Sequence, residues 1–213
     1  VETDNTKYYR QRSHVLGDIV NAQVSYVTSP QYNYVDPGYD TFRTNNASRL
    51  AMVYVAANDG MLHAFAAKGL AATEALVTTA ANARAAASLD PTNATKAADA
   101  ATATAAASAA IAGDTQIGQE QWAFIPSFVM PNLYRLADKK YRDNHRYYID
   151  SSPIVGDVCT ANCSNAGTAV WKTILVGGLG RGGRGYYALD ITDPASPKAL
   201  WEFTNANLGY TYG

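Results

Sequence analysis

Short apolar runs recur along the chain in two similar trains, and the last run of each train contains a tryptophan. The runs of the first train are residues 22–27, 50–55, 60–65 and 118–126, and those of the second are 151–155, 171–176, 185–189 and 197–204. Runs of this length between turn residues are typical of β-strands. Four such runs in each of two units predict an all-β fold with about two four-stranded blades of a β-propeller, in which stacked sheets bury faces that one sheet alone leaves exposed.

The two trains define the expected domain organisation. Residues 1–213 are predicted to be part of one β-propeller domain, with blade-like units at about 18–126 and 147–204. Closed propellers need about four to eight blades, so two units predict only the first part of such a domain. The final residues, 208–213, look like a turn that enters a further strand.

An alanine-rich insertion at about 67–113 separates the third and fourth runs of the first unit. Residues 66–112 contain 23 alanines, and alanine is the best helix former. We expect a helical hairpin with helices at roughly 69–89 and 92–112, with Pro91 in the first turn of the second helix and Gly113 at its end. Its larger apolar residues are few, namely Leu70, Leu76, Val77, Leu89 and Ile111. The hairpin is either an arm that contacts a partner or a tolerated addition to the blade.

Composition favours a contact surface. The net charge is −1, which argues against a globally basic nucleic-acid binder. Tyrosine outnumbers phenylalanine by 15 to 5, and tyrosine suits exposed sheet faces because its ring packs while its hydroxyl stays in water. No apolar run approaches the roughly 18 residues of a membrane-spanning helix, so none is expected.

Two cysteines, Cys159 and Cys163, are expected in the loop between the first two strands of the second unit. A disulfide, two free thiols and a metal site are the alternatives, and the absence of a nearby histidine or third cysteine disfavours the metal. A disulfide would indicate a periplasmic or extracellular compartment.

Trp122 and Trp201 occupy the same position in the two units, and each is predicted to pack between neighbouring blades with its indole N–H on a backbone carbonyl. A short helix is expected at 130–138, after Pro126. It is followed by basic residues among tyrosines, including Lys139, Lys140 and Arg142. Such a cluster could bind phosphate or anionic sugars, or it could be a solvated turn.

Residues 178–183 fit the glycine pattern of dinucleotide-binding loops, but a strand-like run follows in place of a helix. The pattern therefore indicates a turn between two strands. Arg181 and Arg184 at this turn are candidate contacts for an anionic partner. Residues 58–60 form the equivalent turn in the first unit. His63 is interpreted as a packed strand residue, and no catalytic pair or metal-ligand spacing is recognisable.

Several blocks resemble the C-terminal β-propeller of the PilY/PilC family. These blocks are residues 12–21, 52–65, 122–127, 177–183 and 186–194. The resemblance implies a large secreted factor of bacterial type IV pili that acts in pilus assembly, retraction and twitching motility, and in adhesion and virulence at the pilus tip. On this hypothesis the blades are a non-enzymatic platform for minor pilins and for a host or abiotic surface. The expected location is the periplasm or outer-membrane surface and, at the pilus tip, outside the cell.

Two other functions stay open. The propeller is also similar to that of quinone-dependent alcohol dehydrogenases, so a quinoprotein-like enzyme fragment is one alternative. A purely structural scaffold of a secretion or pilus-assembly machine is another. The family's aspartate-rich calcium loop is not found among these residues, so no cofactor or metal ligand is assigned here. The resemblance leaves a calcium site possible in the part of the domain outside these residues.

Overall fold

Two four-stranded antiparallel sheets form the framework of the protein. The computed structural model describes residues 6–69, 71–114 and 116–212. Each sheet has its strands in chain order, β1-β2-β3-β4 and β5-β6-β7-β8. Neighbours in sequence are therefore neighbours in space, as in a propeller blade. The predicted all-β class, with two four-stranded units and a helical insertion, is confirmed.

The strands follow the predicted apolar runs with shifted ends. They are β1 (Ser25–Val27), β2 (Met52–Ala57), β3 (Met61–Ala66), β4 (Glu120–Phe124), β5 (Ile154–Ala161), β6 (Val170–Gly178), β7 (Tyr186–Asp190) and β8 (Lys198–Phe203). The largest difference is at β5, which continues through Cys159. The prediction that both cysteines lie in the loop is therefore wrong for Cys159, because its backbone still pairs with Trp171 of β6.

The core of each sheet lies on its middle strands. Tyr54 and Leu62 in the first sheet, and Leu175, Tyr187 and Leu189 in the second, are almost completely buried. Gly177 lies directly opposite Tyr187 in the ladder between β6 and β7. A Cβ atom at residue 177 would overlap the phenol ring. The missing side chain therefore makes the space that the buried ring fills.

The two sheets contact each other through rings and through a buried polar network. The rings of Phe124 and Tyr187 lie 5.5 Å apart, centroid to centroid. Asp157, buried in β5, accepts hydrogen bonds from the hydroxyls of Tyr39 at 2.8 Å and Thr173 at 2.6 Å. Arg49 donates to the same threonine hydroxyl at 2.6 Å. A buried carboxylate with two donors is stable where an unpaired one would not be.

A short helix that the sequence did not predict supplies one of these donors. Helix α1 (Tyr39–Asn45) follows Gly38, whose φ of 81° lies in the left-handed region. Only Tyr39 and Phe42 of this helix are buried. Two apolar residues on one turn are too few to give a recognisable helical period, which explains why the pattern missed it.

The insertion forms a compact unit of its own, Phe65–Gln119. It contains two helices, as predicted for this segment: α2 (Ala71–Ser88) and α3 (Ala94–Gly113). Ala80, Ala100 and Ala107 are buried, whereas Leu76, Val77, Leu89 and Ile111 are partly or largely exposed. Leu70 lies outside the described residues. The two helices thus pack mainly through alanines, which allow close approach.

Pro91 does not begin the second helix of this unit. Helix α3 starts three residues later, where the side chain of Asn93 accepts a hydrogen bond from the Lys96 backbone N–H at 3.1 Å. Asparagine is a strong helix cap because its oxygen satisfies a backbone N–H of the first turn. The cap therefore sets the start of the helix, and the proline lies in the turn before it.

The short helix after Pro126 is a 3₁₀ helix, Met130–Ala137. Its Leu133 side chain lies against Gly60, at the turn between β2 and β3. The helix therefore covers one end of the first sheet. The residues after it connect to the second sheet.

Candidate partner-binding surface

A buried histidine ties the turn between β2 and β3 to strand β4. His63 Nδ1 lies 2.7 Å from Glu120 Oε1, and its Nε2 lies 3.1 Å from Asp59 Oδ2. The side chains of His63 and Asp59 are only 5% and 3% exposed. Both ring nitrogens are engaged by carboxylates, so this group joins strands and leaves neither nitrogen for a substrate.

The pKa values of the pair are shifted in opposite directions. Burial lowers the pKa of His63, but the hydrogen bonds to Asp59 and Glu120 and their negative charge together outweigh it, so the pKa is raised. Burial raises the pKa of Asp59, but hydrogen bonds from His63, Gly17 and Met61 outweigh that effect and lower it. Both shifts favour an imidazolium beside a carboxylate.

A second polar cluster links the entry segments of the two sheets. Asp150, almost fully buried, accepts hydrogen bonds from the backbone and side chain of Asn21 at 3.1 and 2.5 Å. Asn58 accepts from the backbone N–H of Tyr148 at 3.0 Å. The residues that these bonds join are about 90 to 130 positions apart in the sequence. They hold the turn of one sheet against the entry of the other.

One exposed groove, which we call the basic–tyrosine groove, is formed by Tyr8, Tyr9, Tyr134, Lys139 and Lys140. The three tyrosines are 94%, 69% and 69% exposed. The groove has a volume of about 430 Å³ and is also lined by Arg135, Ala137 and Asp138. It lies where the segment 6–16 runs beside the 3₁₀ helix. The backbone N–H of Arg10 donates a hydrogen bond to the carbonyl of Ala137 in that helix, at 3.0 Å.

The predicted basic contacts divide between this groove and other places. Lys139 and Lys140 line the groove, whereas Arg142 is exposed on the following turn. Arg181 lies over the ring of Tyr147, 5.5 Å from its centroid. Arg184 donates to the carbonyl of Ala206 at 2.7 Å. The structure therefore brings together only two of the five basic residues that the sequence singled out.

The tyrosines of the groove are not among the contact residues predicted from the sequence. Tyr8 and Tyr9 stand between Lys7 and Arg10, so the signal of aromatic residues among basic ones was present. What the sequence could not show is that residues 6–10 lie beside residues 134–140. That contact depends on backbone pairing between distant segments.

The glycine-rich turn lies between β6 and β7, as the sequence predicted. Gly180 has a φ of 57° and Gly183 one of 155°, conformations that glycine adopts readily. Tyr186 follows at once as the first residue of a strand. The turn therefore lacks the helix N-terminus on which dinucleotide-binding loops depend.

Cys159 and Cys163 are disulfide-bonded in the structure, with Cα atoms 5.8 Å apart. The bond joins the end of β5 to the loop that leads into β6. It closes a loop of four residue steps. Asn162, inside this loop, has a φ of 52°, a conformation that asparagine tolerates better than most residues.

The two blade tryptophans have different surroundings. The indole of Trp122 donates to the Pro194 carbonyl of the second sheet at 2.8 Å, and its ring lies 5.6 Å from that of Tyr54. Trp201 is 48% exposed and, with Phe203 and Tyr186, lines an open apolar depression of about 400 Å³. The equivalent positions therefore differ in the described structure: one is between sheets and the other is on the outer face of the second sheet.

The described residues show neither a metal-binding cluster nor a membrane-spanning helix. Within the described ranges, no group of three or more His, Cys, Asp or Glu side chains is arranged to hold a metal ion. The helices described here are all too short or too polar to cross a membrane.

Comparison with known proteins identifies relatives along nearly the whole chain. Residues 109–208 match the family model of the PilY1 beta-propeller domain. The chain is 32% identical over 207 residues to a type IV pilus biogenesis factor PilY1 homolog of Xylella fastidiosa, covering 94% of this chain and 12% of that protein. It is also 32% identical over 219 residues to PilY1 of Pseudomonas aeruginosa strain UCBPP-PA14, covering 98% of this chain and 14% of the relative.

A solved structure is among the matches. The Pseudomonas aeruginosa PilY1 C-terminal domain is 28% identical, with a TM-score of 0.49, over 87% of this chain and 27% of that one. The chain spans about an eighth of the length of the curated relatives named above. The family resemblance noted from the sequence blocks is confirmed by the sequence matches. The chain is similar to PilY1 proteins over nearly its whole length, and residues 109–208 match the β-propeller domain of that family.

Proposed function

We propose that this chain acts in type IV pilus biogenesis, as a non-enzymatic platform within a larger factor. The observation that carries the proposal is its 32% identity, over 94–98% of its residues, to proteins named type IV pilus biogenesis factors. Because the chain spans only 12–14% of those proteins, their activity is transferred here as a hypothesis.

The architecture is consistent with a platform. The two sheets are joined by buried hydrogen bonds between distant segments, such as those of Asp157 and Asp150. Buried, fully bonded polar groups hold a single arrangement, because any other arrangement leaves them unpaired. Rigid sheets that present variable turns are a common way to build binding surfaces.

The proposed partners are minor pilins at the pilus tip and a host or abiotic surface. The basic–tyrosine groove and the exposed face around Trp201 are the surfaces available for such contacts. The proposed location is the periplasm or outer-membrane surface and the pilus tip. The disulfide between Cys159 and Cys163 supports it, because disulfides persist in oxidising compartments.

The test is genetic and biochemical. In the source bacterium, the codons for residues 18–204 are removed in frame from the gene, and surface pili are sheared and quantified together with twitching. We expect loss of surface pili and of twitching. A strain in which only residues 67–117 are replaced by Asn-Gly is the control for the insertion. Normal piliation after removal of both blades would overturn the proposal.

Partner binding is measured separately. Full-length protein with an affinity tag is used to capture purified minor pilins, with and without the insertion. Capture by both forms would place the contact outside the insertion, whereas capture by the intact form alone would make the insertion the docking element. Capture by neither form would refute the minor-pilin part of the proposal.

A further inference from the structure

The positive charge of this nearly neutral chain is concentrated where two segments meet. Residues 6–16 and 134–146 together contain eight lysines and arginines and two aspartates, while the whole chain has a net charge of −1. Two cavities open between them, of about 250 and 430 Å³. A third, of about 240 Å³, is lined by residues of the second segment alone. A patch that carries mostly one sign of charge beside a concave surface raises the local concentration of oppositely charged ligands.

The arginines and lysines of this patch have different surroundings. The guanidinium of Arg10 lies 4.5 Å from the centroid of the Tyr141 ring, and that of Arg135 lies 5.5 Å from the Tyr134 ring. These stacked groups are held close to the protein. Lys139 and Lys140, by contrast, have exposed side chains at the rim of the groove. Because their side chains are exposed, both lysines are within reach of an external anion.

The tyrosines of the groove are highly exposed. Tyr8 is 94% exposed, and Tyr9 and Tyr134 are each 69% exposed. Exposed aromatic rings cost solvation free energy in the unbound protein. A tyrosine offers a flat apolar face and a hydroxyl that both donates and accepts hydrogen bonds. Sugar rings have matching apolar C–H faces and hydroxyl rims.

The groove also contains an acceptor. Asp138 lines it, and one of its carboxylate oxygens accepts the backbone N–H of Lys140 at 2.9 Å. Sugar hydroxyls can donate to such a carboxylate, whereas a DNA phosphodiester backbone has only acceptors to offer it. A surface with cations, aromatic faces and one carboxylate therefore suits an acidic sugar chain better than a nucleic acid.

We propose that the basic–tyrosine groove binds an acidic polysaccharide. The sugar carboxylates pair with Lys139 and Lys140, and the sugar rings pack on Tyr8 and Tyr134. This inference does not depend on the role in pilus biogenesis, because its readout is binding by the purified protein. Loss of pili in the genetic experiment and loss of sugar binding here are separate outcomes.

Binding is measured with polygalacturonate as the probe, and fully methyl-esterified polygalacturonate, which has the same rings without the charge, as the matched ligand. Microscale thermophoresis at several sodium chloride concentrations gives the affinity and its salt dependence. We expect binding of the charged polymer only, and an affinity that falls as salt increases, because counterions are released on binding.

Two double variants test the assignment. Lys139→Gln/Lys140→Gln should weaken binding at low salt by about tenfold and reduce the slope of log affinity against log salt by about 2. Tyr8→Ala/Tyr134→Ala should weaken binding by about fivefold or more with little change in that slope. Both sites are exposed, so circular dichroism should show an unchanged fold.

The control variant, Lys68→Gln/Lys198→Gln, removes two exposed lysines outside both segments and changes the net charge equally. It should bind like the unmodified protein. Equal weakening by this control would mean that net charge alone drives binding, and would overturn the proposal. Absence of polygalacturonate binding would do the same. Equal or tighter binding of oligo(dT) or polyglutamate would overturn the choice of a sugar ligand.

Discussion

The buried pair of His63 and Asp59 offers the sharpest test of how the first sheet is held together. His63→Gln keeps a side chain of similar size that can donate a hydrogen bond, but it removes the positive charge. Asp59 would keep the backbone N–H donors of Gly17, at 2.7 Å, and Met61, at 3.2 Å. It would lose the cation that lies 3.1 Å away.

The magnitude follows from burial. Breaking one side of a buried ion pair costs about 3–5 kcal/mol, because the remaining charge is left without compensation. The two backbone donors and the new amide offset part of this cost. We therefore expect the free energy of unfolding to fall by about 2–3 kcal/mol.

A matched control exists in the same chain. His145 Nε2 also lies close to an aspartate, Asp18, at 2.8 Å, but the two side chains are 35% and 47% exposed. Exposed pairs contribute about 0–1 kcal/mol because water screens them. His145→Gln should therefore change the free energy of unfolding by less than about 1 kcal/mol.

The effect of His63→Gln should depend on pH. The folded-state pKa of His63 is raised above the ordinary 6.5, so its contribution is fully present below about pH 6.5 and is lost as pH rises through the raised value. The pKa of Asp59 is lowered below its ordinary 3.8, so the carboxylate's contribution is lost only as pH falls into the acid range. The pair therefore stabilises the folded protein most at pH values between the lowered pKa of Asp59 and the raised pKa of His63.

The assay is urea unfolding followed by tryptophan fluorescence at about pH 5.5 and about pH 8.5. We expect the difference between the unmodified protein and His63→Gln to be larger at the lower pH. Two results would refute the reasoning: a loss no greater than that of His145→Gln, or a difference that grows with pH.

Three further predictions rest on single contacts. Gly182→Ala should lower the free energy of unfolding in urea by about 1–3 kcal/mol, because the new Cβ would overlap the Tyr148 carbonyl. Gly156→Ala has open space around its new Cβ and should lower that free energy by less than about 1 kcal/mol. Unreduced, unfolded protein should resist thiol labelling at Cys159 and Cys163, and replacing both by serine should cost about 2 kcal/mol by the loop-entropy argument; rapid labelling without reductant would contradict the disulfide. Replacing residues 67–117 by Asn-Gly should leave the sheets folded by circular dichroism, since Ala66 bonds to Gln119 and Gly118 at 2.9 Å and closes the base of the insertion; loss of the sheet signal would show that the insertion is required for folding.

The predictions from sequence succeeded where local pattern and backbone geometry agree. The Asp-Gly turn at 59–60 lies between β2 and β3, and Gly60 has the positive φ of 87° that favours glycine there. The alanine-rich segment formed two helices because alanine needs little tertiary support to be helical. The start of α3 was misplaced, since the choice between Pro91 and Asn93 depends on which cap makes its hydrogen bond.

The groove and the buried pairs lay beyond such reasoning. Asp59 looked like an ordinary turn residue, and only the fold places His63 and the Gly17 N–H around it. Likewise Tyr8 and Lys139 are more than a hundred residues apart in sequence, yet they line one groove.

The amino-acid sequence was sufficient to predict the two sets of four strands, the helical insertion and the family resemblance, because these depend on apolar period, helix propensity and local blocks of residues. Which charges are buried and paired, and which rings stay exposed, depends on the folded structure. Burial depends on contacts between segments far apart in the chain, and a pattern read along the chain does not contain them.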